Sequence, residues 1–269
     1  MELQSRYAAL KTQGIGLIAV SYDPPETLKK FATTRSITFP MVSDGGSAII
    51  KRYGLLNDTL DPKTRFYGVP HPGTFMLDAK GVVTARYFEA AYQERTTVSS
   101  ILARQQDPKA PANAIRSDTM HLTAQTSISD GEVAPGKRVS IVFDVTPKRH
   151  MHVYAPGRHS YQVIAARIDP QSWLRVAPAR YPAAEIYHFK ELNEEVETYG
   201  KAFRLVQDVT ILATQDAQKL LATMPTITLT GSLEYQACDD KVCYAPARIP
   251  FAFTLRVRDL DRKPAGGGL

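Results

Sequence analysis

The chain has few of the features that mark membrane spans, phosphate-binding loops or nucleic-acid surfaces. In its 269 residues no run of apolar residues reaches the ~18 needed for a membrane-spanning helix. The net charge of +6 is spread thinly, and no dense cluster of Lys and Arg marks a nucleic-acid surface. Gly45-Gly46 is too weak a signal for a phosphate-binding loop. We therefore expect no nucleic-acid partner, no cofactor and no membrane span.

Cysteine is scarce as well. The chain has two, Cys238 and Cys243, separated by the four residues Asp239-Asp-Lys-Val242. A close pair of this kind predicts a disulfide or a redox couple, and four thiols for a structural zinc are absent. His150 and His152 form a His-x-His pair that would share one face of a strand, but no third ligand is evident. We predict no metal site and take Cys238 and Cys243 as the candidate catalytic residues.

The length and the patterning predict two domains. Residues 1–106 alternate helical and strand patterns, which is typical of an α/β domain. An apolar run at Gly16–Ser21 predicts a buried parallel strand. Asp23 is expected to cap the next helix, with Pro24 at its first position. Two further strands, Gly73–Leu77 and Val82–Phe88, predict a hairpin, and a last helix is expected over 95–105.

The second part of the chain has a different pattern. A Pro/Ala-rich linker at 107–116 comes first, and the tail at 259–269 is expected to be disordered. Between them, residues 117–258 hold short alternating segments separated by turn signals, the pattern of a β-sandwich. The expected strands are His121–Ser127, Arg138–Val145, Gln162–Asp169, Phe203–Leu212, Ile227–Tyr235 and Phe251–Val257. The predicted fold class is therefore α/β plus all-β.

The segment Gly68-Val-Pro-His-Pro-Gly-Thr-Phe-Met-Leu-Asp-Ala-Lys-Gly81 resembles the alkyl hydroperoxide reductase/thiol-specific antioxidant branch of the thioredoxin superfamily. The resemblance implies a thioredoxin-like (redoxin) fold for residues 1–106. It also implies that Pro72 is a cis-proline whose backbone binds a thiol partner. The alternative is that Pro72-Gly73 simply makes a turn. His71 beside it is expected to line a docking surface or to be a solvent-exposed turn residue.

This first domain departs from that family in one respect. Residues 1–105 contain no cysteine, so the domain cannot act by itself as a peroxidase or a reductase. A strand that delivers the family's cysteine, between Gly16–Ser21 and Gly73–Leu77, is also not found. We expect either a longer protein that is truncated at its N-terminus here or a degenerate, non-catalytic domain. Restored upstream coding sequence should encode an apolar strand and a cysteine.

The segment Leu233-Glu-Tyr-Gln-Ala-Cys-Asp-Asp-Lys-Val-Cys-Tyr-Ala-Pro246 resembles the active hairpin of the N-terminal domain of the disulfide interchange protein DsbD. His150–Gly157 and Tyr199–Ile211 fit the same family. The resemblance implies an immunoglobulin-like fold, electron exchange with a thioredoxin-like partner, and Cys243 as the attacking and Cys238 as the resolving sulfur. That family is usually periplasmic, but the chain shows no signal-peptide pattern, so its compartment stays open.

The residues themselves support a hairpin at the cysteines. Two strands around a four-residue loop place Cys238 and Cys243 opposite each other, with Cα atoms about 4.5–5.5 Å apart, within disulfide reach. The short loop makes a purely structural disulfide less effective, and we expect a hairpin tip to leave both sulfurs accessible. Lys241 favours a thiolate, whereas Asp239 and Asp240 oppose it.

Aromatic residues at Tyr187-His188-Phe189 match a cap loop that shields the cysteines in relatives. Tyr187 and Phe189 are therefore candidate partner-binding residues that open when a partner docks. The alternative is that both belong to the sandwich core. Trp173 is expected in the core.

Together these features predict a bacterial thiol–disulfide oxidoreductase that exchanges electrons with protein thiols. We expect the two domains of the intact protein to exchange electrons with each other. Two alternatives stay open. The chain is a thioredoxin-fold peroxidase or antioxidant protein that has lost its catalytic cysteine, or it is a non-enzymatic β-sandwich binding module with a structural disulfide.

Overall fold

The computed structural model describes residues 2–64, 67–88, 94–105, 114–189 and 194–258. The chain divides into two compact units, one up to Val98 and one over Ser99–Leu260. The predicted linker at 107–116 lies mostly outside the described residues, and the predicted tail at 259–269 lies wholly outside them. The predicted domain bounds therefore stay predictions.

The first unit has the predicted alternation of helices and strands. Its elements are α1 (Glu2–Thr12), β1 (Ala19–Ser21), α2 (Pro25–Thr34), β2 (Met41–Ser43), α3 (Ala48–Arg52), β3 (Gly73–Leu77), β4 (Val83–Phe88) and β5 (Arg95–Thr96). β1 and β2 pair in parallel, and β3 and β4 form an antiparallel hairpin. No helix in the described part of the chain is long and apolar enough to span a membrane.

The turn between β3 and β4 forms for a local reason. The Asp78 carboxylate accepts hydrogen bonds from the backbone N–H groups of Lys80 and Val82, both at 2.9 Å. Gly81 has φ +80°, a left-handed conformation that costs glycine little. The sequence Asp-Ala-Lys-Gly therefore specifies this hairpin, as predicted.

Three details of the predicted helices are wrong. Asp23 does not cap α2, because its Oδ2 accepts a hydrogen bond of 2.6 Å from the Ser21 hydroxyl instead. Pro24 occupies the N-cap position and the helix begins at Pro25, whose missing N–H needs no cap. The helix expected over 95–105 begins only at Val98, since Arg95–Thr96 is extended.

The expectation of a cis-proline at Pro72 is also wrong, because the described residues contain no cis peptide bond. The His71 N–H donates to the Leu55 carbonyl at 2.6 Å, and Leu56 forms a β-bridge with Pro70. The segment before β3 thus finds its backbone partners in the trans form, which X–Pro bonds favour by about 0.5–1 kcal/mol. His71 is exposed and Pro72 is half-buried.

The second unit is mostly strands. Its elements are α4 (Val98–Gln105, from Ser99 onward), β6 (Ile115–Asp118), β7 (Leu122–Ile128), β8 (Glu132–Val133), β9 (Lys137–Pro147), β10 (His152–Tyr154), β11 (Ala165–Ile168), β12 (Leu174–Val176), β13 (Glu185–Phe189), β14 (Glu194–Tyr199), β15 (Phe203–Ile211), α5 (Gln215–Leu221), β16 (Thr226–Tyr235), β17 (Ala237–Cys238) and β18 (Ala247–Val257). The six predicted strands are present, with ends shifted by a few residues.

Two sheets enclose the core of this unit. One has the strand order β12-β15-β9-β7-β6 and the other β11-β16-β18-β8. Their inward side chains form one cluster, in which the rings of Phe143 and Phe251 lie 5.4 Å apart and Trp173 is buried as expected. Alternation of buried and exposed residues along β18 is what a sheet with one solvent-facing side requires. A third sheet, β13-β14-β10-β17, carries the cysteine segment.

Helix α4 packs against the outer face of the first of these sheets. The Arg104 guanidinium contacts Asp208 of β15 at 2.6 Å, and the other Asp208 oxygen accepts from the Ser140 hydroxyl of β9 at 2.7 Å. Arg204 donates to the Ala103 carbonyl at 3.0 Å. Because Asp208 is almost fully buried, this helix covers charged groups that would otherwise need solvent.

Replacing Asp208 with Ala should lower the free energy of unfolding of the second unit by about 3–5 kcal/mol, the cost of breaking a buried ion pair. Denaturant unfolding monitored by Trp173 fluorescence would measure it. Asp118→Ala is the matched control, because Asp118 pairs with Lys148 in an exposed position, and it should leave the unfolding midpoint nearly unchanged. Equal effects of the two substitutions would contradict the anchoring of α4.

Candidate active site

The site lies on one face of the sheet β13-β14-β10-β17. In its register His152 is opposite Cys238, Tyr154 is opposite Thr198, and Tyr187 is opposite Val196. Residues directly opposite each other, and residues two apart on a strand, share a face. Tyr154, Val196 and Cys238 form a buried cluster, against which Tyr161 and Tyr187 pack. We call this set of side chains, together with His152, the disulfide face.

The cysteines form a disulfide, with Cα atoms 4.1 Å apart. The two residues differ sharply in exposure. Cys238 is fully buried, whereas Cys243 is exposed. The expectation that both sulfurs are accessible at a hairpin tip is therefore wrong for Cys238.

The reason is a change of sheet at Gln236. β16 and β18 pair as the expected hairpin, but after Tyr235 the chain leaves that sheet, and Ala237 and Cys238 pair with β10. The Gln236 side chain fixes this step, because its Nε2 donates to the Tyr244 carbonyl at 3.2 Å and its Oε1 accepts from the Gln162 N–H at 3.3 Å.

The Tyr154 hydroxyl contacts both sulfurs, at 2.9 Å from Cys238 Sγ and 3.3 Å from Cys243 Sγ. Disulfide sulfurs carry no hydrogen, so the hydroxyl is the donor. The Tyr154 ring stacks on Tyr161 at 4.3 Å, and the Tyr161 hydroxyl donates to Glu194 at 3.0 Å. Burial raises the pKa of Tyr154 well above its usual value, so the phenol keeps its proton.

Tyr154 is a site residue that the sequence analysis missed. It lies within the segment His150–Gly157 that carries the family resemblance, but nothing local distinguishes it from the other tyrosines. The available signal was strand alternation, since Tyr154 is two residues after His152 and must share its face. Its contact with the sulfurs depends on the pairing of β10 with β17, which the sequence does not show.

The loop between the cysteines is held by Asp239. One carboxylate oxygen accepts from the backbone N–H groups of Lys241 and Val242, both at 2.7 Å, and the other accepts from the Tyr244 hydroxyl at 2.9 Å. Hydrogen bonds hold the pKa of Asp239 below its usual range, with the largest effect from Lys241, then Val242, then Tyr244. The Asp239 charge that opposes a thiolate is thus compensated by fixed donors.

The two aromatic candidates of the cap segment lie on β13. The Tyr187 hydroxyl donates to Asp240 in the cysteine loop at 2.9 Å, and its ring packs beside Cys238 rather than in the sandwich core. Phe189 is half-buried, with its ring 5.7 Å from that of Tyr187. The following residues, 190–193, lie outside the described residues.

The two histidines of the His-x-His pair differ in burial and do not share a site. His152 is buried on the disulfide face and stacks on Tyr187 at 4.4 Å, whereas His150 precedes β10, is exposed and has φ +66°. Burial lowers the pKa of His152, and the nearby Asp240 and Asp239 act in the opposite direction. Within the described residues, no three His, Cys, Asp or Glu side chains are grouped as a metal site would require.

Two family models match the chain. Residues 1–86 match the AhpC/TSA family, and residues 120–254 match "Thiol:disulfide interchange protein DsbD, N-terminal". Among curated relatives, the chloroplastic Peroxiredoxin Q of Populus jackii is 33% identical over 81 residues, 30% of this chain and 35% of the relative. Alkyl hydroperoxide reductase E of Mycobacterium tuberculosis is 29% identical over 84 residues, 30% and 50% respectively. The chain thus spans about a third to a half of the length of these relatives.

Solved structures give distant likenesses. The N-terminal periplasmic domain of ScsB from Proteus mirabilis has a TM-score of 0.37 at 15% identity, covering 55% of this chain and 51% of that one. The reduced DsbD N-terminal domain of Neisseria meningitidis has a TM-score of 0.32 at 14% identity, covering 57% and 94%. The sequence match is the stronger finding. Because the DsbD model covers just over half of the chain, this protein belongs to the family of the thiol:disulfide interchange protein DsbD, N-terminal.

Proposed function

We propose that this protein is a thiol–disulfide oxidoreductase that exchanges electrons with protein thiols through Cys238 and Cys243, on an immunoglobulin-like sandwich. The observation that carries the proposal is the asymmetry of the pair. An exposed sulfur can meet a partner, while a buried one is protected from solution thiols until it is needed. A disulfide that only stabilises the fold has no need of this arrangement.

The asymmetry supports Cys243 as the attacking and Cys238 as the resolving sulfur. In the reduced protein the Cys243 thiolate attacks a sulfur of the partner disulfide, and the partner's other sulfur leaves as a thiolate that takes up a proton. Cys238 then attacks Cys243, which releases the second partner sulfur as a thiolate and closes the Cys238–Cys243 bond. The chain loses two electrons and the partner gains them. Every step is reversible, so the potentials of the two couples decide the direction.

Tyr154 is the group that favours the attacking thiolate. Its hydroxyl already points to both sulfurs, and a hydrogen bond donated to the charged form lowers a thiol pKa. Because burial keeps the phenol protonated, the donor persists at physiological pH. Lys241 lies in the same loop and adds a positive charge near Cys243.

The partner is proposed to be a thioredoxin-like protein that docks over Cys243. Tyr187, tied to Asp240, and Phe189 beside it cover the approach to Cys238 and move aside on docking. Pro72 lies in the first unit, and its proposed part in binding a thiol partner does not need a cis peptide bond, since its neighbours already present extended backbone.

The AhpC/TSA match of residues 1–86 favours one alternative, a peroxidase or antioxidant activity. Both cysteines of this chain lie at 238 and 243, so no thiol within residues 1–86 can reduce a peroxide here. Peroxide consumption by a longer form that contains a cysteine in this domain, and none by this chain, would support that alternative.

The reduction potential of the Cys238–Cys243 pair should lie between about −120 and −270 mV, where exchange catalysts are found. Thiol labelling after equilibration in glutathione or dithiothreitol buffers measures it. A value below about −300 mV is typical of structural disulfides and would instead favour the non-enzymatic binding module with a structural disulfide.

Tyr154→Phe should raise the pKa of the Cys243 thiol by about one unit, because it removes a hydrogen bond donated to the thiolate. The pH dependence of alkylation of the reduced protein measures this pKa. Tyr161→Phe is the matched control, since that hydroxyl bonds Glu194 and no sulfur. An unchanged pKa in the Tyr154 variant would remove the phenol from the mechanism.

Tyr187→Ala and Phe189→Ala should each speed reduction of the disulfide by dithiothreitol several-fold, because they uncover the route to the buried sulfur. Ile186→Ala is the control, since strand alternation places that exposed side chain on the opposite face. If the two aromatic variants react no faster than the control, the cover is not a barrier to small thiols.

A further inference from the structure

The buried thiol poses a problem of proton transfer. Only a thiolate is nucleophilic enough to attack a disulfide, and burial in apolar surroundings disfavours the thiolate. Cys238 has no exposed surface and lies among Tyr154, Val196 and Tyr187. Water cannot remove its proton there, so a neighbouring group must accept it.

Three of the nearby polar groups are poor acceptors. Tyr154 is a protonated phenol and acts as a donor. The Asp239 carboxylate is occupied by two backbone N–H groups and the Tyr244 hydroxyl. Asp240 accepts from the Tyr187 hydroxyl, and its side chain is 62% exposed, on the solvent side of the loop.

His152 remains. It lies directly opposite Cys238 in the pairing of β10 with β17, where Cβ atoms are about 4.5–5.5 Å apart. The residue is 4% exposed, and its Nε2 has no hydrogen-bond partner within the described part of the protein. The ring is held in place by stacking on Tyr187 and by the perpendicular ring of Tyr154 at 5.8 Å.

We propose that His152 is the proton acceptor for Cys238 in the resolving step. The inference rests on the proposed exchange function. The Cys238 S–H proton moves to the free ring nitrogen as the sulfur attacks Cys243, the bond between Cys243 and the partner breaks, and the partner leaves as a thiolate. The imidazolium then returns its proton to the departing thiolate or to solvent. A partner disulfide is the oxidant, and no other reactant is needed.

The charges around the ring suit this role. His152 lies opposite Cys238 of β17 and contacts the rings of Tyr187 and Tyr154. Asp239 and Asp240 of the following loop act on it electrostatically, and Asp240 also lies 3.8 Å from His150. Burial lowers the pKa of the imidazole, so it is neutral and able to accept a proton near pH 7. The two aspartates stabilise the imidazolium once it forms, which makes it a better base than burial alone would allow.

The test uses the reduced full chain and excess 5,5′-dithiobis(2-nitrobenzoate) in a stopped-flow instrument at 412 nm. Attack by the exposed Cys243 releases the first thionitrobenzoate at a rate proportional to reagent concentration. Attack of Cys238 on the mixed disulfide releases the second thionitrobenzoate at a rate that does not depend on the reagent concentration. The two phases thus report the two cysteines separately.

His152→Gln should slow the second phase at least tenfold between pH 6 and 7, within the usual effect of about 10²–10⁴ for a lost general base. In the variant that phase should rise about tenfold per pH unit, following thiol ionisation alone, whereas in the unchanged protein it should be nearly flat from pH 6.5 to 8. The first phase should change less than about twofold, because Cys243 is exposed. His188→Gln is the matched control, because that exposed histidine contacts Glu195 and lies on the face of β13 opposite to Tyr187.

His152→Phe is the second variant, since it keeps a ring to stack on Tyr187 and has no base; it tests the proposal even if the Gln variant does not fold. A second phase that keeps the rate and pH profile of the unchanged protein in the variants that fold would overturn the assignment, as would equal slowing of both phases. If the unchanged protein releases only one thionitrobenzoate, the exchange function itself fails.

Discussion

The pairing of two residues, Ala237 and Cys238, with β10 is the constraint on which the site depends. A continuous hairpin of β16 and β18 would carry both cysteines into solvent at its tip. Two backbone-paired residues instead transfer the chain to a neighbouring sheet at Gln236, and this places one sulfur under the rings of β10 and β13. The Cys243 sulfur stays at the surface, at the end of the four-residue loop that returns the chain to a β-bridge with Cys238.

The change of sheet at Gln236 determines the surroundings of both sulfurs on the disulfide face. Inside the low-dielectric cluster burial raises the pKa of Tyr154 and lowers that of His152, which favours a hydrogen-bond donor and an acceptor on the same face. Outside the buried cluster, the Asp239 carboxylate accepts hydrogen bonds from two backbone N–H groups and so holds the loop that leads to Cys243. The contrast between Cys238 and Cys243 is thus produced by burial and not by their sequence neighbours.

Elements that depend on local chemistry were predictable. The hairpin of β3 and β4 follows from an Asp-x-x-Gly turn, and the long strands of the sandwich follow from alternation. The errors arose where a contact distant in sequence, or a competing local one, prevailed. The Ser21 hydroxyl donates to the Asp23 carboxylate, which therefore does not cap the helix. The Leu55 carbonyl accepts from the His71 N–H and holds the segment before Pro72 in an extended conformation.

The sequence by itself determined that Cys238 and Cys243 form the disulfide, because it offers no other thiols and spaces these two for one. It also placed Tyr187 near them through a family resemblance. Only the tertiary structure decided which sulfur is hidden and brought Tyr154 and His152 to it. Those residues are some 80 positions distant along the chain, and strand pairing between separate segments leaves no mark in local patterning.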